Sequence, residues 1–181
     1  MKNKFLIQRI SSLKKILEYK KLDVLFLTSK VASRYFTDFQ ADNGFLIADK
    51  NKIIFLTDGR FSNEAKKIPL DIEIIIYKNS ILNFIKSNKL FKKNRIGFEG
   101  WDVKFNFYKE LCNVFPDYQF VDISDFIQEI FSVHDEESIR RTKKAISISK
   151  NVYDSVRKLI KAGVTEIELE RDISFLHKYF G

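Results

Sequence analysis

The sequence predicts an α/β domain built on one mixed sheet of about six strands, with helices on both faces. Short apolar runs of strand length alternate with helical patterns over residues 1–133, and this alternation is typical of α/β folds. Two consecutive runs, 44–48 and 52–57, are joined by the polar segment 49–51. That short connector predicts a hairpin and therefore an antiparallel pair in the sheet. Residues 134–181 show no strand pattern, which predicts a boundary between two parts of the chain.

The individual elements follow from local patterns. Leu6, Ile10, Leu13 and Leu17 recur at helical steps, which predicts an opening amphipathic helix. Later helices are bounded by capping residues or by proline, as at Pro116. The predicted strands lie at 24–28, 44–48, 52–57, 72–77, 95–99 and 119–122. A short helix and loop is predicted at 30–39, and helices at 61–67, 80–89, 104–115 and 125–133.

Residues 134–181 are predicted to form two amphipathic helices. The first begins with the acidic residues 135–137, which are favourable at the positive end of a helix dipole. Thr165 and Glu168 have the spacing of a capping box that opens the second helix. Both helices carry apolar faces with little nearby sequence to cover them. We therefore expect them to be the leading helices of an incomplete second domain.

Composition excludes several classes of protein. The chain has 181 residues, 45% hydrophobic and 31% charged, with 32 Lys and Arg against 24 Asp and Glu, a net charge of +8. No apolar run approaches the roughly 20 residues of a membrane-spanning helix, so no membrane partner is expected. The one cysteine, Cys112, cannot form an internal disulfide, which favours a cytoplasmic location. The basic residues are spread along the chain, and the densest group, Lys89, Lys92, Lys93 and Arg95, is interpreted as a solvated helix end.

No residue pattern by itself identifies a catalytic centre. His134 and His177 are isolated from any metal-binding spacing. Asp58, Glu99 and Asp122 each lie near the carboxyl end of a predicted strand, where neighbouring strands could assemble a two-metal nuclease site. The alternative interpretation, favoured here, is that each acid serves a local turn or cap. A basic nucleic-acid-binding α/β protein thus stays open as the less favoured function, and nucleic acid is not an expected partner.

Five segments, in order along the chain, resemble the N-terminal half of the creatinase, prolidase and Xaa-Pro aminopeptidase family. Residues 35–39 resemble its Tyr-Leu-Thr-Gly-Phe segment, and residues 56–61 its Leu-x-Thr-Asp-x-Arg-Tyr stretch. Residues 96–99 are similar to its Ile-Gly-Phe-Glu strand. Residues 137–145 and 162–166 resemble the helix and the Pro-Gly-Met-Thr-Glu turn that open the catalytic domain. In two departures, Asp38 replaces the usual glycine and His134 stands where a lysine is common.

The resemblance implies the N-terminal portion of a metal-dependent Xaa-Pro peptidase. In the family, a pita-bread-shaped catalytic domain binds two divalent ions, Mn, Co or Zn, through acids and a histidine that all lie beyond the matched segments. No catalytic or metal-binding residue is therefore expected in this chain, which is predicted to be inactive alone. The resemblance implies a homo-oligomer, dimer or tetramer, formed through the N-terminal domain, and a share in the substrate channel. Tyr35, Phe39 and Arg60 are the channel or interface candidates, with packing or turn contacts as the alternative role of each. A stand-alone binding or assembly module is the alternative function.

Overall fold

The computed structural model describes residues 2–92 and 94–181, with side chains described from Lys4 onward. It contains a six-stranded sheet in the order β4-β3-β2-β1-β5-β6. The strands are β1 (Val24–Leu27), β2 (Phe45–Ala48), β3 (Ile53–Asp58), β4 (Glu73–Tyr77), β5 (Arg95–Phe98) and β6 (Gln119–Asp122). The helices are α1 (Lys2–Tyr19), α2 (Lys30–Thr37), α3 (Ser62–Ala65), α4 (Ile81–Ser87), α5 (Phe105–Val114), α6 (Ser124–Ser132), α7 (Glu136–Val156) and α8 (Glu166–Phe180), with a 3₁₀ turn at Gly59–Phe61.

The sheet is mixed, as predicted, because β2 runs against its neighbours. β2 pairs antiparallel with β1 and with β3, and the β2–β3 hairpin has the predicted connector. The pairs β1–β5, β3–β4 and β5–β6 are parallel. All strands except β2 therefore point the same way, and their carboxyl ends share one edge of the sheet.

Helices on both faces bury the sheet, which explains the continuous apolar runs of the strands. All four residues of β1 are buried. Leu25 and Leu27 belong to a core that includes residues of α1, α2 and α6. Val24 and Phe26 belong to a second core on the opposite face, which includes residues of α4 and α5. The predicted two-faced α/β architecture is confirmed.

Asp38 ends α2 in the left-handed backbone conformation. Its φ is 60° and its ψ is 16°, and its N–H donates to the Arg34 carbonyl. Glycine is the usual residue in this conformation, and aspartate is one of the few others that adopt it readily. Asp38 is therefore compatible with the left-handed turn that ends α2 in this chain.

Contacts divide the chain into two compact units, one ending at Val133 and the other covering His134–Gly181. The second unit consists of the helices α7 and α8, which contact each other, and the segment that connects them. Thr165 and Glu168 form the predicted capping box at the start of α8. Apolar side chains remain exposed on both helices, namely Ile146, Tyr153, Ile167, Phe175 and Tyr179. Among the described residues, no helix is long and apolar enough to cross a bilayer.

Candidate functional site

A cluster of four polar residues lies at the carboxyl ends of β3 and β4, and we call it the strand-end cluster: Asn43, Asp58, Arg60 and Tyr77. The pairing of β3 with β4 places Asp58 beside Tyr77. The Asn43 amide donates to the Asp58 carboxylate and, at 2.9 Å, to the Tyr77 hydroxyl. A hydrogen bond from the Thr57 hydroxyl to the Asn43 carbonyl fixes the segment before β2 against β3.

Arg60 is anchored to Asp58 through two parallel hydrogen bonds. Its Nε donates to Oδ1 at 3.0 Å and its Nη2 to Oδ2 at 2.7 Å, and its backbone N–H also reaches Oδ1 at 2.9 Å. The guanidinium lies 5.2 Å from the centre of the Phe61 ring. The interpretation that Asp58 serves a local turn is thereby confirmed. These hydrogen bonds hold the planar guanidinium in a fixed orientation. Since 75% of the Arg60 side chain is exposed, this cation lies at the surface.

The electrostatics of the strand-end cluster keep Asp58 ionised. Its hydrogen bond with Arg60 is the main cause that lowers the pKa of Asp58 to about 2, and the Asn43 amide adds to the effect. Burial is the main cause that raises the pKa of Tyr77, so this hydroxyl stays protonated. Arg60 has guanidinium N–H groups beyond the two that bind Asp58. The cluster is therefore suited to bind a carboxylate or a peptide carbonyl, since such oxygens accept hydrogen bonds from guanidinium.

Sequence reasoning found Asp58 and Arg60 but missed Asn43 and Tyr77. The signal for Tyr77 was its position at the end of β4, because parallel neighbours align their carboxyl ends. That position could identify Tyr77 as a neighbour of Asp58 only if β4 were known to pair with β3. Asn43 had no comparable signal, since it lies in the loop before β2.

Tyr35, the first of the channel or interface candidates, is half-buried and packed on several sides. The Arg9 guanidinium lies 4.3 Å from the centre of its ring. The ring of Phe131 lies 4.9 Å away, centre to centre, and the Tyr35 hydroxyl points to the Ile130 carbonyl at 3.4 Å. These contacts give Tyr35 a packing role between α1, α2 and α6.

Phe39, the second candidate, is only 2% exposed. Its ring centre lies 4.7 Å from that of Phe55 and 6.5 Å from that of Phe61. Phe61 also lies beside the Arg60 guanidinium. Phe39 therefore packs behind the strand-end cluster through Phe61. Of the three candidates, Arg60 presents most of its side chain to solvent.

Glu99, which follows β5, is fully buried and binds the start of α2. Its Oε2 accepts hydrogen bonds from the backbone N–H groups of Thr28 at 2.8 Å and Ser29 at 3.0 Å. Its Oε1 accepts from the Ser29 hydroxyl at 2.7 Å. Burial is the main cause that raises the pKa of Glu99, and the three donors oppose it. This carboxylate thus joins the carboxyl ends of β1 and β5.

Asp122 serves the loop between β5 and α5 and the start of α6. Its Oδ1 accepts from the backbone N–H groups of Gly100 at 3.0 Å and Ser124 at 2.9 Å. Asp58, on β3, is separated from β5 by two intervening strands, about 14 Å at the usual strand spacing. The three carboxylates are therefore not brought together. In the part of the chain that the structure describes, no three His, Cys, Asp or Glu side chains form a metal-binding group, so these residues do not fit a dinuclear metal centre.

The densest basic stretch surrounds an open concavity of about 550 Å³ between the ends of α4 and α5. Lys86, Lys89 and Lys92 line it, with Phe91 and Phe115 at its base. Both rings are nearly fully buried, at 3% and 5% exposure, so they offer no stacking surface for a nucleic-acid base. Lys93, which the sequence analysis included in this group, lies outside the described residues.

The family model of the creatinase/prolidase N-terminal domain matches residues 9–133. The chain belongs to this family. The matched range contains the whole six-stranded sheet and the strand-end cluster. The resemblance inferred from five short segments is thereby confirmed for the first unit.

Curated relatives extend the match into the second unit. A putative Xaa-Pro aminopeptidase of Mycoplasma genitalium is 26% identical over 170 residues, which is 92% of this chain and 46% of the relative. An uncharacterized peptidase of Bacillus subtilis, YqhT, is 24% identical over 155 residues, which is 85% of this chain and 44% of the relative. The chain thus spans about half the length of the curated relatives it matches.

Solved structures share the fold. The Xaa-Pro dipeptidase of Bacillus anthracis superposes with a TM-score of 0.86 at 22% identity, covering 97% of this chain and 50% of the dipeptidase. An Xaa-Pro aminopeptidase from Streptococcus thermophilus, 29% identical, gives a TM-score of 0.62 over 69% of this chain and 97% of that chain. This chain therefore matches the N-terminal domain of Xaa-Pro peptidases.

Proposed function

We propose that this chain is the N-terminal portion of an Xaa-Pro aminopeptidase or prolidase-like metallopeptidase, in which it serves oligomerisation and shapes the substrate channel. The observation that carries the proposal is the family match over residues 9–133, continued by relatives that are named as Xaa-Pro peptidases and covered only to about half their length. Residues 134–181 would be the leading helices of the catalytic domain. A cytoplasmic location is part of the proposal, supported by a single cysteine.

Catalysis in the whole protein would come from residues outside this chain. Two divalent metal ions, of Mn, Co or Zn, would supply an activated water there for attack on the scissile peptide bond. The described residues offer no such centre, so no step of hydrolysis is assigned to them. Their contribution would be to orient the peptide, with Arg60 held in place by Asp58.

The channel role depends on the fixed guanidinium of Arg60. A peptide that enters the active site presents carbonyl oxygens and, in a dipeptide, a terminal carboxylate. An anchored arginine binds such groups with little loss of side-chain freedom, because Asp58 already fixes its orientation. Tyr35 and Phe39 remain candidates for the same channel or for an interface. Phe39 contacts Phe61, which lies beside Arg60, and so supports the loop that carries Arg60 only through this ring.

A chimaera tests the proposal. In it, this chain replaces the N-terminal half of the Bacillus anthracis Xaa-Pro dipeptidase, and hydrolysis of an Xaa-Pro dipeptide is measured with Mn²⁺. We expect activity in the chimaera, and we expect Arg60→Ala to raise KM about 5- to 10-fold with kcat within about twofold. Lys67→Ala is the matched control, because Lys67 is also exposed and paired with an acid, Glu64, at 2.8 Å. An unchanged KM in Arg60→Ala would remove the channel role.

A further inference from the structure

Both oxygens of the Asp58 carboxylate are fully used inside the strand-end cluster. Oδ1 accepts the backbone N–H and the Nε of Arg60, at 2.9 Å and 3.0 Å. Oδ2 accepts Nη2 of Arg60 at 2.7 Å and the amide nitrogen of Asn43. Because a carboxylate has about four acceptor sites, Asp58 has none left for a ligand, and its role in the cluster is to hold Arg60.

The guanidinium of Arg60 keeps one edge free. A guanidinium can form two parallel hydrogen bonds to a carboxylate through Nε and Nη2, or through Nη1 and Nη2. Asp58 occupies the first of these edges. Among the described residues, no group accepts a hydrogen bond from Nη1 of Arg60, and 75% of the side chain is exposed. The second edge is therefore available to a ligand.

Asn43 and Tyr77 hold the Asp58 carboxylate in place. Both N–H groups of the Asn43 amide are engaged, one by Asp58 and the other by the Tyr77 hydroxyl at 2.9 Å. Tyr77 is only 8% exposed, so its hydroxyl is a fixed acceptor for Asn43. Groups from β3, β4 and the loop before β2 thus set the orientation of Asp58 and, through Asp58, that of Arg60.

We propose that the free edge of Arg60 binds the C-terminal carboxylate of a short peptide, with Asn43 as the positioning residue of this site. The inference rests on the proposed function and names its substrate class, Xaa-Pro dipeptides, whose carboxylate lies next to the scissile bond. A carboxylate fits this edge because its two oxygens accept two parallel N–H bonds. A peptide carbonyl offers one oxygen and no charge, so it makes fewer and weaker bonds there.

The position of Arg60 in the fold favours a ligand site. Arg60 follows β3, and in open α/β sheets ligands bind outside the carboxyl ends of the strands. Arg140 has a similar anchor, since its Nε and Nη2 bind the two oxygens of Glu137 at 2.7 Å and 2.8 Å and 63% of its side chain is exposed. It belongs to α7 and not to a strand end. Arg140 is therefore a matched control for an anchored guanidinium.

Two substrates that differ only at the C-terminus test the inference in the dipeptidase chimaera. Alanyl-proline carries a carboxylate, and alanyl-prolinamide does not. Arg60→Ala should raise KM for alanyl-proline about 5- to 10-fold and leave KM for alanyl-prolinamide within about twofold. Arg60→Lys should cause a similar loss for alanyl-proline, because an ammonium group cannot form the two parallel bonds. Lys67→Ala is the control and should change neither value.

Asn43→Ala tests the positioning role. It should raise KM for alanyl-proline about 2- to 4-fold with kcat unchanged, since Arg60 is then held less firmly. The double variant with Arg60→Ala should lose no more than Arg60→Ala alone, because Asn43 acts through the same guanidinium. Circular dichroism verifies that the variants are folded. Additive losses would overturn the positioning role of Asn43.

Binding to the chain alone gives a readout that does not depend on catalysis. In an NMR titration followed at the Arg60 Nε–H, N-acetylproline should bind at least about fivefold more tightly than N-acetylprolinamide. Arg60→Lys should abolish this preference and Arg140→Lys should keep it, as measured on nearby backbone amides. Equal affinity for the two ligands, or a preference lost in Arg140→Lys as well, would overturn the inference.

The outcomes separate the inference from the proposed function. Equal losses for the two substrates in Arg60→Ala would overturn the carboxylate preference and leave the channel role in place. An unchanged KM for both substrates would remove the channel role itself. An inactive chimaera would count against the peptidase assignment, and the titration would still decide whether Arg60 prefers a carboxylate.

Discussion

The carboxylate of Glu99 binds both the backbone N–H and the hydroxyl of Ser29, at 3.0 Å and 2.7 Å, across 70 residues of sequence. Ser29 is also the N-cap of α2, and its hydroxyl accepts the N–H of Ala32 at 2.9 Å. One buried carboxylate thus fixes the end of β1, the end of β5 and the first turn of α2 together. Helix α2, which carries Tyr35 and leads to Phe39, starts from this point.

Glu99→Ala should lower the free energy of unfolding by about 2 to 4 kcal/mol, because it leaves the buried N–H of Ser29 and the partly buried N–H of Thr28 without their acceptor. Glu99→Gln should lower it less, since the amide oxygen can still accept one of these bonds while the buried charge is removed. Urea unfolding followed by circular dichroism measures both. Equal losses for the two variants would contradict the hydrogen-bonding role.

Acid should weaken the strand-end cluster below pH 4. The pKa of Asp58 is lowered to about 2 in the folded chain, so its contribution to stability is present above the unfolded value near 3.8 and is lost as the pH falls towards 2. Asp58→Asn should remove that part of the pH dependence. Glu99 has the opposite effect. Because its pKa is raised in the folded chain, its protonation at low pH increases the free energy of unfolding.

The check is thermal unfolding between pH 2 and pH 7 for the wild type and Asp58→Asn, an interval set by the shifted pKa. Asp154→Asn serves as a control in the second unit, where the exposed pair with Lys150 at 2.6 Å also lowers an aspartate pKa. Parallel pH profiles for the wild type and Asp58→Asn would show that the ionised Asp58 carboxylate contributes nothing to stability.

Gly97→Ala should destabilise the first unit by about 1 to 3 kcal/mol. An added Cβ would lie 2.7 Å from Leu22 Cδ1 and 2.8 Å from Leu25 Cδ2, inside the packed core. Gly59→Ala is the control, because nothing lies within 4 Å of a Cβ at that position. Denaturant midpoints compare the two, and an equal tolerance at both positions would be incompatible with the packing around β5.

Thr165→Ala should shorten or loosen α8, since it removes the hydroxyl half of the capping box and leaves only the bond from the backbone N–H of position 165 to Glu168. The Thr165 hydroxyl accepts the Glu168 N–H at 3.3 Å, and the Glu168 carboxylate accepts the Thr165 N–H at 2.9 Å. Loss of such a cap costs about 1 kcal/mol of helix stability. Amide hydrogen exchange in the first turn of α8 should become faster, while exchange in β1 should not change.

The sequence predicted the strands well because burial on both faces leaves its mark as continuous apolar runs, as in Val24–Leu27. The hairpin could also be predicted from the sequence, because the connector 49–51 is too short for a crossover between parallel strands. Strand order was not accessible, since it depends on which faces pack together in three dimensions. For that reason Asn43 and Tyr77 were missed, although each lies within hydrogen-bonding distance of the cluster that Asp58 and Arg60 indicated.

The most direct measurement is an Xaa-Pro peptidase assay on the purified chain beside the dipeptidase chimaera, both with saturating Mn²⁺. The proposal predicts no release of product above the no-enzyme rate from the chain alone and clear turnover from the chimaera. Turnover by the chain alone, abolished by chelation and restored by Mn²⁺, would contradict the claim that catalysis resides outside these residues.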